Sequence, residues 1–341
     1  MKNEEQFRII RDSLNFSLWK GGGVVKNAIL TLAILFLISV VGFSQNTQKG
    51  VKQGLDSIVS PNETDIFSYD NKGNMVLHMN HYWDGYTTSD EYMYDDNNNL
   101  IMETCYMWDY DINSWKELWK SEYTYDSRGK LIIMIDSNII KNTDWTSRKS
   151  EYKYNNKGKL IKKIDYDWDN NNWVISGKTE YRHINIGKLT IETEYYWEGE
   201  TGDWEIGDKI EYTYDNNDRL ITEIYYDRND ETNDWNKFEK SEYNYDNNDN
   251  LIMLTYYEKW SDKTNTWKLR YKKEYIFDLS YSKIDLIMPV DIELINPRIT
   301  YIVNNMLKET ILYEWSEKDW IQENVTTYYW SPKEIIINNK K

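Results

Sequence analysis

Cysteine, proline, glycine and histidine are all scarce in this chain. Of 341 residues one is cysteine, four are proline, fifteen are glycine and three are histidine. The lone Cys105 excludes an internal disulfide, and its strand-like surroundings mark it as a small buried hydrophobe rather than a nucleophile. His78, His81 and His183 form no metal or catalytic-triad spacing. A cationic footprint is also missing: 41 Lys and Arg stand against 57 Asp and Glu, a net charge of -16. That balance excludes nucleic acid as the main partner and gives no attraction to anionic lipid. No catalytic, cofactor or metal motif stands out. The expectation is a protein that is not an enzyme, with no catalytic residues, no cofactor and no metal.

What the chain does have is aromatic. Sixteen tryptophans and thirty tyrosines accompany a mean hydropathy of -0.81. Disordered chains lack aromatics, and aromatic residues suit a pleated, half-buried surface, so the composition points to strands.

The tyrosines recur in pairs: Tyr92/Tyr94, Tyr123/Tyr125, Tyr152/Tyr154, Tyr212/Tyr214 and Tyr243/Tyr245. Tyr181/His183 and Tyr275/Phe277 fill the same positions in degenerate copies, and Phe67/Tyr69 opens the series. The period is about 29 to 32 residues, the signature of a repeat architecture. A tryptophan stands eight residues before the first tyrosine at Trp115, Trp173, Trp204, Trp235, Trp267 and Trp320. After each pair comes a turn-forming run such as Asp126-Ser127-Arg128-Gly129 or Asp246-Asn247-Asn248-Asp249, then a second apolar strand. Each unit therefore reads as a hairpin. The fold class is all-β, a long antiparallel meander of tandem two-strand hairpins in a single extended or curled sheet. Flat sheet, spiral and closed tube all fit the pattern.

Strand alternation places Trp235, Tyr243 and Tyr245 on one face and Lys240 and Glu242 on the other. The Lys-x-Glu pair recurs as Lys120/Glu122, Lys149/Glu151, Lys178/Glu180, Lys209/Glu211 and Lys272/Glu274, which reads as a charged ladder on a solvated face. At Trp145 the offset to Tyr152 is seven, so a bulge or shortened loop is expected there. Lys237, Glu239 and Ser241 on one face of a strand argue against lipid contact, so no stable membrane insertion of the mature chain is expected.

The N-terminal segment has the order of a secretory leader: Lys26, an apolar run Ala28 to Val41, then Gly42 and Ser44 at cleavage positions. Residues 25–44 are read as a signal peptide cleaved after Ser44, and residues 1–24 as an upstream extension preceding a start at Val25. Beyond them we expect a linker over 45–65, hairpin repeats over 66–278, an irregular cap-like segment over 279–311 with Pro289 and Pro297, and a terminal hairpin and tail over 312–341. The location that follows is extracellular, cell-surface or periplasmic.

The units Ser121 to Leu131 and Glu211 to Leu220 resemble the YD repeats of Rhs-type and wall-associated bacterial proteins, whose core is Tyr-x-Tyr-Asp-x-x-Gly-Arg-Leu. The resemblance covers roughly residues 66–278 and implies successive β-hairpins. The family glycine is often Asp or Asn here, and the Trp-containing half lies outside the family core. The chain is also similar to repeat proteins of Gram-negative bacteria that use type IX secretion. Those commonly end in a C-terminal sorting domain, which Asn338 to Lys341 does not supply.

Among candidate sites, the Asp/Asn-rich loops (Asp95 to Asn99, Asp167 to Asn172, Asp215 to Asp218, Asp246 to Asp249) match no calcium-loop pattern and read as turn chemistry. Paired carboxylates such as Glu192/Glu194 read as surface rather than as a glycosidase pair. The loop-adjacent rings Trp83, Trp108, Trp168 and Trp197 are the candidate ligand-binding aromatics. The role expected is a secreted or surface-associated interaction or structural module with an unknown protein or glycan partner. The alternative is a carbohydrate-binding or adhesive protein using those loop aromatics.

Overall fold

The structure, a computed structural model, describes residues 48–139, 147–184, 188–229, 231–261, 264, 266–287 and 304–337. Of the two units into which the chain divides, the one described here is Gly50–Ile336. The leader reading, the upstream extension and Trp145 lie outside the described residues.

Strands dominate. The first are β1 (Gln48–Val59), β2 (Glu63–Tyr69), β3 (Met75–Tyr82) and β4 (Thr87–Tyr94). Next come β5 (Leu100–Asp109), β6 (Ser114–Tyr125), β7 (Leu131–Asn138), β8 (Arg148–Tyr154), β9 (Leu160–Asp169) and β10 (Asn172–Ile184). The series continues through β11 (Leu189–Glu198), β12 (Asp203–Tyr214), β13 (Leu220–Arg228), β14 (Trp235–Tyr245), β15 (Leu251–Ser261) and β16 (Thr266–Ser282). It ends with β17 (Leu286–Ile287), β18 (Asn305–Trp315) and β19 (Trp320–Ile337).

Apart from β17, each strand pairs antiparallel with the next along the chain, β16 pairs with β18, and β19 returns to β1. The meander is thereby closed into an 18-strand barrel, with β17 as a short parallel addition on β1. Of the three forms open to the repeat pattern, the chain adopts the tube. Closure also corrects two boundaries. The segment 45–65 is not simply a linker, because Gln48–Val59 is the strand that seals the barrel. The terminal hairpin begins at Asn305, inside the segment expected to be irregular.

The turns alternate between two rims. On one, the Asx turns share a single design. The side-chain oxygen of Asp95 accepts the N–H of Asn97 and of Asn99, both at 2.8 Å, and Asp70, Asp126, Asn155, Asp215 and Asp246 repeat the arrangement. The fourth turn residue then takes positive φ, +74° at Gly129 and +76° at Gly158. Asn98, Asp218 and Asp249 adopt the same left-handed conformation at 63–64°, which explains why Asn and Asp stand where the other turns have glycine.

The second regular device is a bulge. In the hairpins β5–β6, β9–β10, β11–β12, β13–β14, β15–β16 and β18–β19, the register slips by one residue a few positions after the tryptophan. In β14, Glu239 pairs with Tyr225 and Lys237 with Tyr226, so Phe238 is the extra residue. One extra residue inverts the alternation beyond it. Trp235 therefore lies not with Tyr243 and Tyr245 but on the Lys240/Glu242 face, and Lys237 and Glu239 stand on opposite faces. A bulge is thus a property of most of the tryptophan-bearing hairpins, while the one expected at Trp145 lies outside the described residues and the described β7–β8 pairing keeps its register.

Burial runs along the sheet. One core cluster joins Leu55, Phe67, Met75, Tyr92 and Leu100; another joins Ile210, Tyr212, Leu220, Tyr243 and Leu251. Both draw on the tyrosines and on the Leu or Met that opens the strand after each Asx turn.

Candidate functional site

On the tyrosine face the pairs build a two-rung ladder, complete at Tyr123/Tyr125 and Tyr243/Tyr245, while Tyr152 meets the Met134 sulfur in place of a carboxylate. The second tyrosine of a pair donates its hydroxyl to the backbone carbonyl of the residue opening the strand before it: Tyr94 to Met75, Tyr125 to Leu100, Tyr154 to Leu131 and Tyr245 to Leu220, at 2.7–2.9 Å. His183 keeps the contact, its Nε2–H donating to the Leu160 carbonyl at 2.7 Å and leaving Nδ1 for the Thr190 hydroxyl. The first tyrosine reaches a carboxylate three residues further along that strand. Tyr123 donates to Glu103, Tyr212 to Glu192 and Tyr243 to Glu223, at 2.8–2.9 Å. Burial, then the Glu103 carboxylate, pushes the Tyr123 phenol well above its usual range, and burial pushes Tyr125 up to about 12. These phenols stay protonated and act as donors. Glu192 is only 1% exposed, so it belongs to the core and not to the surface expected for it.

On the lysine face the unit is a four-residue cluster. Lys209 binds Glu211 at 3.0 Å, its Nζ lies 3.8 Å from the centroid of Tyr226 and 5.2 Å from that of Trp235, and Tyr226 donates to Glu211 at 2.7 Å. Lys149 with Glu151, Tyr166 and Trp173 repeats it, as do Lys178 with Tyr195 and Trp204, and Lys272 with Tyr313 and Trp320. The hydrogen bond from Lys149 holds the Glu151 carboxyl below its ordinary value against a smaller opposing effect of burial. The bulge makes this possible, since only after it does the tryptophan share a face with the preceding lysine.

Three of the four expected ligand aromatics stand in tryptophan pairs. Trp108, Trp168 and Trp197 each meet the tryptophan opposite, Trp115, Trp173 and Trp204, edge to face with centroids 5.4, 4.9 and 5.0 Å apart. Trp315 and Trp320 do the same at 5.1 Å. Such pairs clamp the hairpin ends. Trp168 keeps 40% of its surface exposed, while Trp108 and Trp197 are half-buried.

Trp83 is different. It is 72% exposed and stands in the β3–β4 turn, beside Tyr86 at 40%. The neighbouring β5–β6 turn presents Tyr110 and Ile112 at 61% and 64%. The Tyr110 hydroxyl donates to the Gly85 carbonyl at 2.5 Å and ties the two turns together, and the Trp83 amide donates to the Asn62 carbonyl at 3.1 Å. Single-sequence reading found Trp83 but missed Tyr86, Tyr110 and Ile112. The signal was there: at the same rim other turns read Asn170-Asn171 or Glu200-Thr201-Gly202.

The remaining titratable groups are also placed. In the acidic loops, bonds from the Asn99 side chain and then its amide hold Asp95 below its ordinary value; the Lys130 amide and then the Arg128 side chain do so for Asp126. Those oxygens are engaged in turn formation. Among the described residues no group of three or more His, Cys, Asp or Glu has a metal-holding arrangement. Burial, followed by Asp90, pushes the Cys105 thiol far up, consistent with a packing residue. Beside it runs a cross-strand row that, among the described residues, the other repeats do not show. His78 stacks on Phe67 with centroids 4.8 Å apart, places Nε2 2.8 Å from Asp65, and has Nδ1 3.6 Å from Asp90.

No protein-family model matches the chain, and no curated protein matches it. Among solved structures it is similar to a protein of unknown function from Bacteroides fragilis, at 18% identity over 45% of this chain and 91% of that one, with a TM-score of 0.24. It is also similar to a porin-like protein from Bacteroides vulgatus, at 10% identity over 82% and 99% of the two chains, with a TM-score of 0.32. A Tc toxin component, TcdB2-TccC3, shares 10% identity over 77% of this chain and 16% of that one, with a TM-score of 0.18. These are weak likenesses of architecture.

Proposed function

We propose that this chain is an exported, non-enzymatic barrel of YD-like hairpin repeats, displayed at the bacterial surface as a structural and interaction module. The observation that carries the reading is how the repeat uses its polar groups. Tyrosine hydroxyls bind carboxylates and backbone carbonyls on one face, and lysines bind carboxylates and rings on the other. Chemistry repeated around a ring serves the ring; a catalytic centre needs one unique constellation with a matched pKa.

The leader-like order of residues 25–44 supports export. Both faces carry charge at mid-strand, Lys240 and Glu242 on one and Glu223 and Glu239 on the other, which favours a water-facing barrel over one belted by lipid. Two measurements test the reading. N-terminal sequencing of the native protein is expected to start at Gln45, and protease added to intact cells is expected to remove the chain. Retention in the cytoplasm overturns export, and turnover abolished by changing one carboxylate overturns the non-enzymatic role.

A further inference from the structure

Among the described residues most turns at the tryptophan-bearing rim are polar, but two adjacent ones are not. Trp83 and Tyr86 in one and Tyr110 and Ile112 in the other expose apolar surface on neighbouring turns, tied together by the Tyr110–Gly85 bond, that neither repeat ladder uses. We propose that this patch is a binding site for a short uncharged glycan; the inference rests on the surface role proposed above.

Three features select that occupant. First, the two turns contain no lysine or arginine, whereas Asp84, Asp109 and Asp111 border the rings. An anionic ligand meets only like charge, while carboxylates and turn carbonyls accept hydroxyl protons from a sugar. Second, the patch is small. Four side chains fall well short of the roughly 800 Å² per partner that a stable protein interface buries. An aromatic anchor into a bilayer forms a girdle around the whole rim, whereas the β9–β10, β11–β12 and β18–β19 turn tips are Asn170-Asn171, Gly199 to Gly202 and Ser316 to Asp319. Third, the backbone that carries the rings is held in place, and Tyr110 is held by its own hydroxyl. Short turns and the Tyr110–Gly85 bond set the two turns against each other before binding, which lowers the ordering cost. The β3–β4 and β5–β6 tips are two strands apart, about 10 Å at ordinary strand spacing, a length that suits an oligosaccharide lying across both.

The full mature chain is to be titrated calorimetrically with cello-, malto- and manno-oligosaccharides. Heparin serves as the anionic probe and phosphatidylcholine vesicles as the lipid probe. Binding of an uncharged oligosaccharide is expected, weakened about ten-fold or more by Trp83→Ala and by Tyr86→Ala, as for a central aromatic contact. Tyr329→Ala, exposed elsewhere on the barrel, is expected to leave affinity unchanged. Thermal melting is recorded for each variant, and two variants ensure that one misfolded protein does not decide the outcome. Absence of oligosaccharide binding, binding indifferent to both patch variants, or preference for heparin or vesicles overturns the proposal. Export and protease accessibility are read separately on cells, so failure of the glycan site is distinguishable from failure of the surface role.

Discussion

Two arcs of the barrel share a backbone and differ in chemistry. From β8 onward the lysine face repeats one cluster of lysine, glutamate, tyrosine and tryptophan. Across β2 to β5 that cluster is gone. Ser89, fully buried, occupies the lysine position beside Glu91, and the tyrosine face gains the Asp65–His78–Asp90 row. Serines stand where these aspartates do in other repeats: Ser121 donates to Asp136 at 2.5 Å and Ser150 to Asp165 at 2.6 Å. The hairpin tolerates either set because its register is fixed by the Asx turn and the tyrosine-to-carbonyl bond. The arc that departs from the pattern also carries the exposed aromatic rim, so divergence and candidate function coincide.

The comparison can be broken from either side. The largest effect is expected at Tyr212, almost fully buried in the regular arc: Tyr212→Ala costs about 3–5 kcal/mol, read from the midpoint of urea unfolding. An effect below that of a surface substitution would mean that the tyrosine ladder is dispensable. In the divergent arc, His78→Leu removes the imidazole between two partly buried carboxylates and costs about 1–3 kcal/mol by the same measurement.

A finer comparison uses two lysines with the same glutamate spacing. Lys209 has both rings and Glu211; Lys120 binds Glu122 at 3.0 Å, but the position facing it on β7 is Ser137, not a tyrosine. Lys209→Met is expected to cost about 1 kcal/mol and Lys120→Met about 0.5 kcal/mol or less. Equal losses would show that the rings contribute nothing beyond the ion pair.

The smallest effect concerns acid. The folded values of Asp95 and Asp126 are depressed, so the stability they add is present above the unfolded carboxylate value, near pH 4, and disappears as pH falls through the folded value. Asp95→Asn together with Asp126→Asn is expected to flatten the acid limb of the melting-temperature profile while leaving the neutral plateau nearly in place. An unchanged acid limb would remove these turns from the account.

Much of the fold was legible because its determinants are local. The tyrosine pairs, the turn residues and the strand after each turn lie within one short stretch, so hairpins could be read in register. Ring closure was not legible, since Gln48–Val59 carries neither tryptophan nor tyrosine and its partner β19 lies at the far end of the described sequence. The tryptophan face was misread because a bulge leaves no residue signature: the extra position is Phe238 in β14 and Leu118 in β6. The candidate patch was half legible. Trp83 stood out as loop-adjacent, but Tyr110 joins it only through pairing across β4 and β5. The His78 row likewise needs three strands in register.

Closure has a further consequence for how such a chain changes over generations. An open solenoid lengthens by any number of units, because its ends are free. Here every end is spent on a neighbour, and antiparallel closure demands an even strand count. Repeats can therefore be gained or lost only as whole hairpins, and each event changes the circumference of the tube rather than its length. Unit number in this protein is a measure of girth, and relatives with more or fewer repeats are expected to differ in bore.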